Sequence, residues 1–129
     1  MFSNKEKDVN RIETLIGQQC SIIGSLNGNG LIKIDGSIDG NIICEDDVAL
    51  AETGRIKGDI TCNNAYINGI VNGNVSCTST LTIESCGKVS GDISVKKLMI
   101  SEGGILDGKC TMANYEQPDD NSDDNSDNL

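Results

Sequence analysis

The sequence predicts an all-β fold, a parallel β-helix whose short strands wind into a coil of about six turns. Three observations lead there. A phrase of the form Gly-x-(Ile/Val/Leu)-x-Gly-x-(apolar) returns five times, opening at Gly36, Gly54, Gly69, Gly87 and Gly104, at intervals of 18, 15, 18 and 17 residues. Self-similarity at a near-constant period is the mark of a stacked repeat. Within each repeat, apolar residues stand two or four apart, the period of strands that turn alternate side chains to one face. Finally, aromatic residues make up 2 % of the 129 residues and there is no Trp. The apolar content is Ile, Val, Leu and Cys, which suits thin stacked layers better than a bulky core.

Taken in chain order, residues 1–13 are polar and charged and are expected to be disordered. The repeat occupies residues 14–113. Its first turn, around Cys20, Ile22 and Leu26, fits the phrase worst: Gly24 lies only 12 residues before Gly36, and Gly30 stands where an apolar side chain is expected. The second turn places Ile32, Ile34, Ile38, Ile42 and Cys44 inward; the third, Val48, Leu50, Ile56, Ile60 and Cys62. Ala65, Ile67, Val71, Val75 and Cys77 form the fourth, and Leu81, Ile83, Val89, Ile93 and Val95 the fifth. Leu98, Ile100, Leu106, Cys110 and Met112 complete the sixth.

Each turn thus supplies three short strands and three corners. Stacked at ~4.8 Å, like positions form columns, such as Ile38/Ile56/Val71/Val89/Leu106 and Ile42/Ile60/Val75/Ile93/Cys110, and six turns make a rod roughly 30 Å long. Glycines suit the corners because they reach positive φ without a Cβ clash. Two residues lead from Ile34 to Gly36 and from Ile67 to Gly69, whereas four lead from Leu50 to Gly54, Ile83 to Gly87 and Ile100 to Gly104. The uneven period is therefore assigned to one tolerant corner. Residues 114–129 hold the only proline, Pro118, among Asp, Asn and Ser, a composition that predicts disorder.

Composition also excludes functions. The net charge is −10, and residues 117–129 carry five acids and no base. An acidic chain without a basic stripe is a poor nucleic-acid binder. No apolar run approaches the ~18–20 residues of a membrane span, and residues 3–14 do not read as a secretory signal. The expectation is a cytoplasmic chain whose six cysteines are reduced thiols.

Cys44, Cys62 and Cys77 share one repeat position with Val95, so that position reads as a small-hydrophobe site rather than a metal or redox centre. Cys86, beside corner Gly87, is the best candidate for a reactive thiol. Asn41, Asp59, Asn74, Asp92 and Lys109 recur after the second glycine and read as corner residues bonding local backbone. There is no His, so the general base that β-helical acyltransferases use is missing. The outward acids Asp35, Asp39, Glu52 and Asp107 read as a solvated face. No catalytic residue, cofactor, metal or nucleotide site is predicted.

Attention therefore moves to the ends. A sheet rolled into a coil has its edges at the two ends, where each terminal turn offers unpaired N–H and C=O groups over an apolar layer. Neither flanking segment reads as a cap. The candidate end residues are Leu15, Ile16 and Ile22 at one end and Leu98, Ile100, Leu106 and Met112 at the other. The expected partner is a second copy of the chain.

The run from Thr14 to Ile42 resembles the opening of a bactofilin core, and Gly54–Ile60 and Gly87–Ile93 are similar to later phrases of that family. The resemblance spans about residues 14–112. It implies a right-handed β-helix and nucleotide-independent assembly into non-polar filaments through contacts between like ends. It also implies a scaffold for cell-shape or envelope machinery near the inner membrane, with envelope or cell-wall proteins as partners. Met1, Phe2, Lys5 and Lys7 resemble the membrane-targeting peptide of some members. The alternative is a non-polymerising β-helical adaptor that binds an envelope enzyme.

Overall fold

The structure is a computed structural model that describes residues 12–112, so the expectations for the two tails fall outside the described residues. Eighteen strands make six turns of three. Turn 1 is β1 (Ile12–Ile16), β2 (Ser21–Ile23) and β3 (Leu26–Gly28); turn 2 is β4 (Leu31–Ile34), β5 (Ser37–Asp39) and β6 (Ile42–Cys44). Turn 3 is β7 (Asp47–Leu50), β8 (Arg55–Lys57) and β9 (Ile60–Cys62); turn 4 is β10 (Asn64–Ile67), β11 (Ile70–Asn72) and β12 (Val75–Cys77). Turn 5 is β13 (Thr80–Ile83), β14 (Lys88–Ser90) and β15 (Ile93–Val95); turn 6 is β16 (Lys97–Ile100), β17 (Ile105–Asp107) and β18 (Cys110–Met112). Like strands pair in parallel into three six-stranded sheets: A from β1 to β16, B from β2 to β17 and C from β3 to β18.

Register places the predicted columns together, with Ile38 against Ile56 and Val71 against Val89 in sheet B, and Ile42 against Ile60 and Val75 against Ile93 in sheet C. In turns 2 to 5 every one of the five inward side chains is at most 3 % exposed. The core is a narrow pile of aliphatic layers that a large ring would not fit, which is why so few aromatics serve this fold.

Three features differ from the sequence reading. First, Gly24 belongs to the second glycine of the phrase, not the first. Ser37 donates to Cys20 O as Arg55 does to Gly36 O, both at 3.0 Å, so Cys20 holds the first-glycine position of turn 1 and the phrase there runs Cys20–Leu26. Second, the residue facing Cys44 in the inward column is Gly28, not Gly30. Third, two corners vary in length. The A–B corner has two residues in turns 2 and 4 and four in the others, and the C–A corner has one residue at Asn63 and Lys96 and two elsewhere. Their combination gives the 15-, 17- and 18-residue intervals. The four-residue corners close as tight turns, as in Gly54 N–H to Ala51 O and Gly87 N–H to Glu84 O, both 2.8 Å. They lean over the short corners, with Thr53 Oγ1 donating to Asp35 O at 2.7 Å and Cys86 N–H to Asn68 Oδ1 at 2.9 Å.

Candidate assembly surfaces at the two ends

The corner residues bond between turns rather than locally. Asp59 N–H donates to Asn41 Oδ1, Asn74 N–H to Asp59 Oδ1 and Asp92 N–H to Asn74 Oδ1, each at 2.9 Å, and Lys109 N–H to Asp92 Oδ1 at 3.2 Å. Each short side chain thus satisfies an amide one turn on. Asn between the two Asp residues keeps their carboxylates roughly 10 Å apart rather than stacked at ~5 Å.

The cysteine position is small and apolar, and its thiols also reach backbone oxygens at the C–A corner or the start of the strand that follows it. The Cys44 thiol lies 3.1 Å from Gly30 O, and the Cys62 thiol 3.4 Å from Asn64 O and 3.9 Å from Cys77 Sγ. Burial pushes the Cys44 thiol above its ordinary value. The hydrogen bond with Cys77, then burial, pushes Cys62 far up. All six cysteines are free; Cys20 and Cys86 are exposed, and Cys86 lies on the long corner of turn 5. The outward acids Asp35 and Glu52 line a groove of about 460 Å³ with Lys33, Asn68 and Glu84. It lies across the corners of turns 2 to 5, and Lys33 pairs there with Asp35 at 3.0 Å.

Within the described residues each terminal strand pairs on one side only: β1, β2 and β3 at one end, β16, β17 and β18 at the other. Polarity alternates around each rim. At the B–C corner the amides of one turn donate forward, as in Gly91 N–H to Asp107 O and Ile93 N–H to Lys109 O. In turn 6 the equivalent groups, Gly108 N–H and Cys110 N–H, face no further turn among the described residues. These unpaired edges are templates for another strand.

The C-terminal end carries the predicted apolar residues on its surface. Ile100 is 46 % and Met112 57 % exposed, whereas Ile83 and Val95, the same positions one turn earlier, are fully buried. Leu98, Leu106 and Cys110 are half-buried at the top of their columns. At the N-terminal end Ile22 is half-buried below Ile38. Ile16 is enclosed at 4 % exposure. Leu15 pairs with Lys33 in the outward register of sheet A, 60 % exposed on the side of the rod. The strand alternation turns Thr14 inward beneath Ile32 and so forces Leu15 out. Thr14 and Gly28, which the repeat spacing does not single out, occupy inward positions of turn 1 together with Leu26. Extending each column back by one period would have found them.

Comparison with known proteins agrees with this architecture. A solved structure of Thermus thermophilus bactofilin, a cryo-EM reconstruction of double helical filaments, is similar with a TM-score of 0.70 at 20 % identity, covering 78 % of this chain and 99 % of that one. At that identity the likeness carries the fold. No curated protein matches the chain. The family model for bactofilin, described as polymer-forming cytoskeletal, matches residues 14–111. With well over half of its length inside that match, the chain belongs to the bactofilins, a family of polymer-forming cytoskeletal proteins.

Proposed function

We propose that this protein assembles end to end, without nucleotide, into non-polar filaments that act as a cytoplasmic scaffold for cell-shape or envelope machinery. The observation that carries the reading is the C-terminal end. There the inward positions of Leu98, Ile100, Leu106 and Met112 lose the cover that the same columns have inside the coil, beside three strand edges unpaired among the described residues. Apolar contact and backbone pairing suffice for such a junction, which supports assembly without a nucleotide. At the other end Ile22, with Ile16 behind it, would receive a partner, while Leu15 would flank the contact from the side.

Electron microscopy and sedimentation test the reading. The wild-type chain should form filaments in buffer treated to remove nucleotide. Ile100→Arg or Leu106→Arg should shorten them to small oligomers while circular dichroism retains the strand signal. A wild-type rod that stays monomeric at high concentration would sink the proposal and favour the adaptor reading. Met1, Phe2, Lys5 and Lys7 support a further part of the proposal, that the filaments gather on the inner membrane beside envelope or cell-wall proteins. They lie outside the described residues.

A further inference from the structure

The two glycines of the repeated phrase serve different needs, and turn 1 keeps only one. The second is conformational as well as steric: Gly24 has φ +131° with nothing within 4 Å of where its Cβ would stand, whereas a Cβ at Gly40 or Gly108 would also collide with the carbonyl oxygen of Gly24 or Gly91 in the turn beneath. The first is steric. A Cβ at Gly36 would collide with the carbonyl oxygens of Cys20 and Gly17, and one at Gly69 with those of Ala51 and Gly54. At Gly104 it would stand 2.9 Å from Glu84 O. Those oxygens belong to the turn beneath. Turn 1 has Cys20 at this position, and Cys20 is exposed. Its Cβ and thiol therefore project from the N-terminal end in the direction where every later turn has a neighbour's backbone.

The opposite end carries a counterpart. Asn41, Asp59, Asn74 and Asp92 each offer a side-chain oxygen to the amide one turn on. The next position in that ladder is Lys109, whose ammonium only donates. Ser25, the same position in turn 1, would meet no acceptor there.

We propose that Cys20 and Lys109 bar head-to-tail stacking, so that turn 1 of one copy cannot continue the coil on turn 6 of another in the register the turns use among themselves. The inference rests on the end-to-end filament reading and names what sets its polarity. Much of the remaining junction would fit. The Gly108 and Cys110 amides match the carbonyl positions of Ile23 and Ser25, and Gly24 could sit on Gly108 as Gly108 sits on Gly91. A heterologous contact of that kind propagates as an open fibre. With the two residues in place, each end is left to pair with the like end of another copy, a two-fold junction not bound to the repeat's register.

Chains blocked at one end test this. Ile22→Arg closes the N-terminal end and Ile100→Arg the C-terminal end; Leu26→Arg replaces Ile22→Arg if the latter loses its strand signal. The two are purified with tags of different mass, mixed and weighed by native mass spectrometry. Homodimers alone are expected. Adding Cys20→Gly to the Ile100→Arg chain and Lys109→Asn to the Ile22→Arg chain should raise heterodimers at least ten-fold. Heterodimers in the first mixture would overturn the inference, as would their absence from the second while homodimers persist. A wild-type chain that forms no assembly in the same buffer would overturn the filament reading itself, and this inference with it.

Discussion

A carbonyl oxygen in the turn beneath decides which glycines this chain needs. Gly69 lies against Ala51 O and Gly54 O, neither of which can move without opening its own corner, whereas Gly17 has nothing within 4 Å of its missing Cβ. Gly69→Ala should therefore lower stability by about 1–3 kcal/mol, as overpacking does. Gly17→Ala should stay within about 0.5 kcal/mol of wild type, both read from urea unfolding. The thiols give a second prediction. Cys62, and to a lesser degree Cys44, keep their protons in the folded state above the ordinary value of 9.0, where the unfolded chain loses its own. The folded state then binds more protons, so stability falls as pH rises beyond that value. The contribution of Cys62 to the slope grows toward a limit of about 1.4 kcal/mol per pH unit as the unfolded thiol ionises. Unfolding free energies at pH 8, 9 and 10 read the slope, and Cys62→Val should flatten it, since Val95 fills the same column.

At the scale of the element, the three corners differ in tolerance because they differ in what crosses them. The B–C corner has two residues in all six turns and carries the side-chain ladder from Asn41 to Lys109. The A–B corner already exists in two lengths, and its long form bulges outward as a closed turn. A Gly-Ser insertion between Glu52 and Thr53 should shift the melting temperature little. The same insertion between Gly73 and Asn74 should lower it by several degrees and broaden the transition, because it breaks the bonds of Asn74 to Asp59 and Asp92. Thermal circular dichroism separates the two. The strands and their inward residues were legible from period-two spacing. The second variable corner was not, because a missing residue at Asn63 or Lys96 is visible only once strand ends are fixed by their partners.

For the whole molecule, a rod whose turns contact only their neighbours can bury its core everywhere except at its ends. That makes the ends the natural contacts, and assembly then multiplies anything carried on the tails. The aromatic and lysines of residues 1–8 are too few to hold one copy firmly on a membrane; burying Met1 and Phe2 contributes roughly 3–5 kcal/mol at most. A filament presents many copies, and avidity should convert weak contacts into stable attachment. Liposome flotation with the wild-type chain should therefore exceed flotation of a chain lacking residues 2–8. Equal recovery of the two would remove the membrane part of the proposal.

The sequence by itself determined the coil: its class, the number of turns, the inward columns and the apolar C-terminal end. Each of these follows from local alternation and a period that one chain displays along its length. Only the tertiary structure decided the rest. It turned Leu15 to the side, placed Cys20 and Gly28 where the spacing points to Gly24 and Gly30, and carried the Asn/Asp ladder from turn to turn. The physical reason is common to all of them. A residue's role in a stacked coil depends on the backbone immediately above and below it, 15 to 18 residues away along the chain from Gly36 to Gly104, and spacing alone does not show which oxygen lies there.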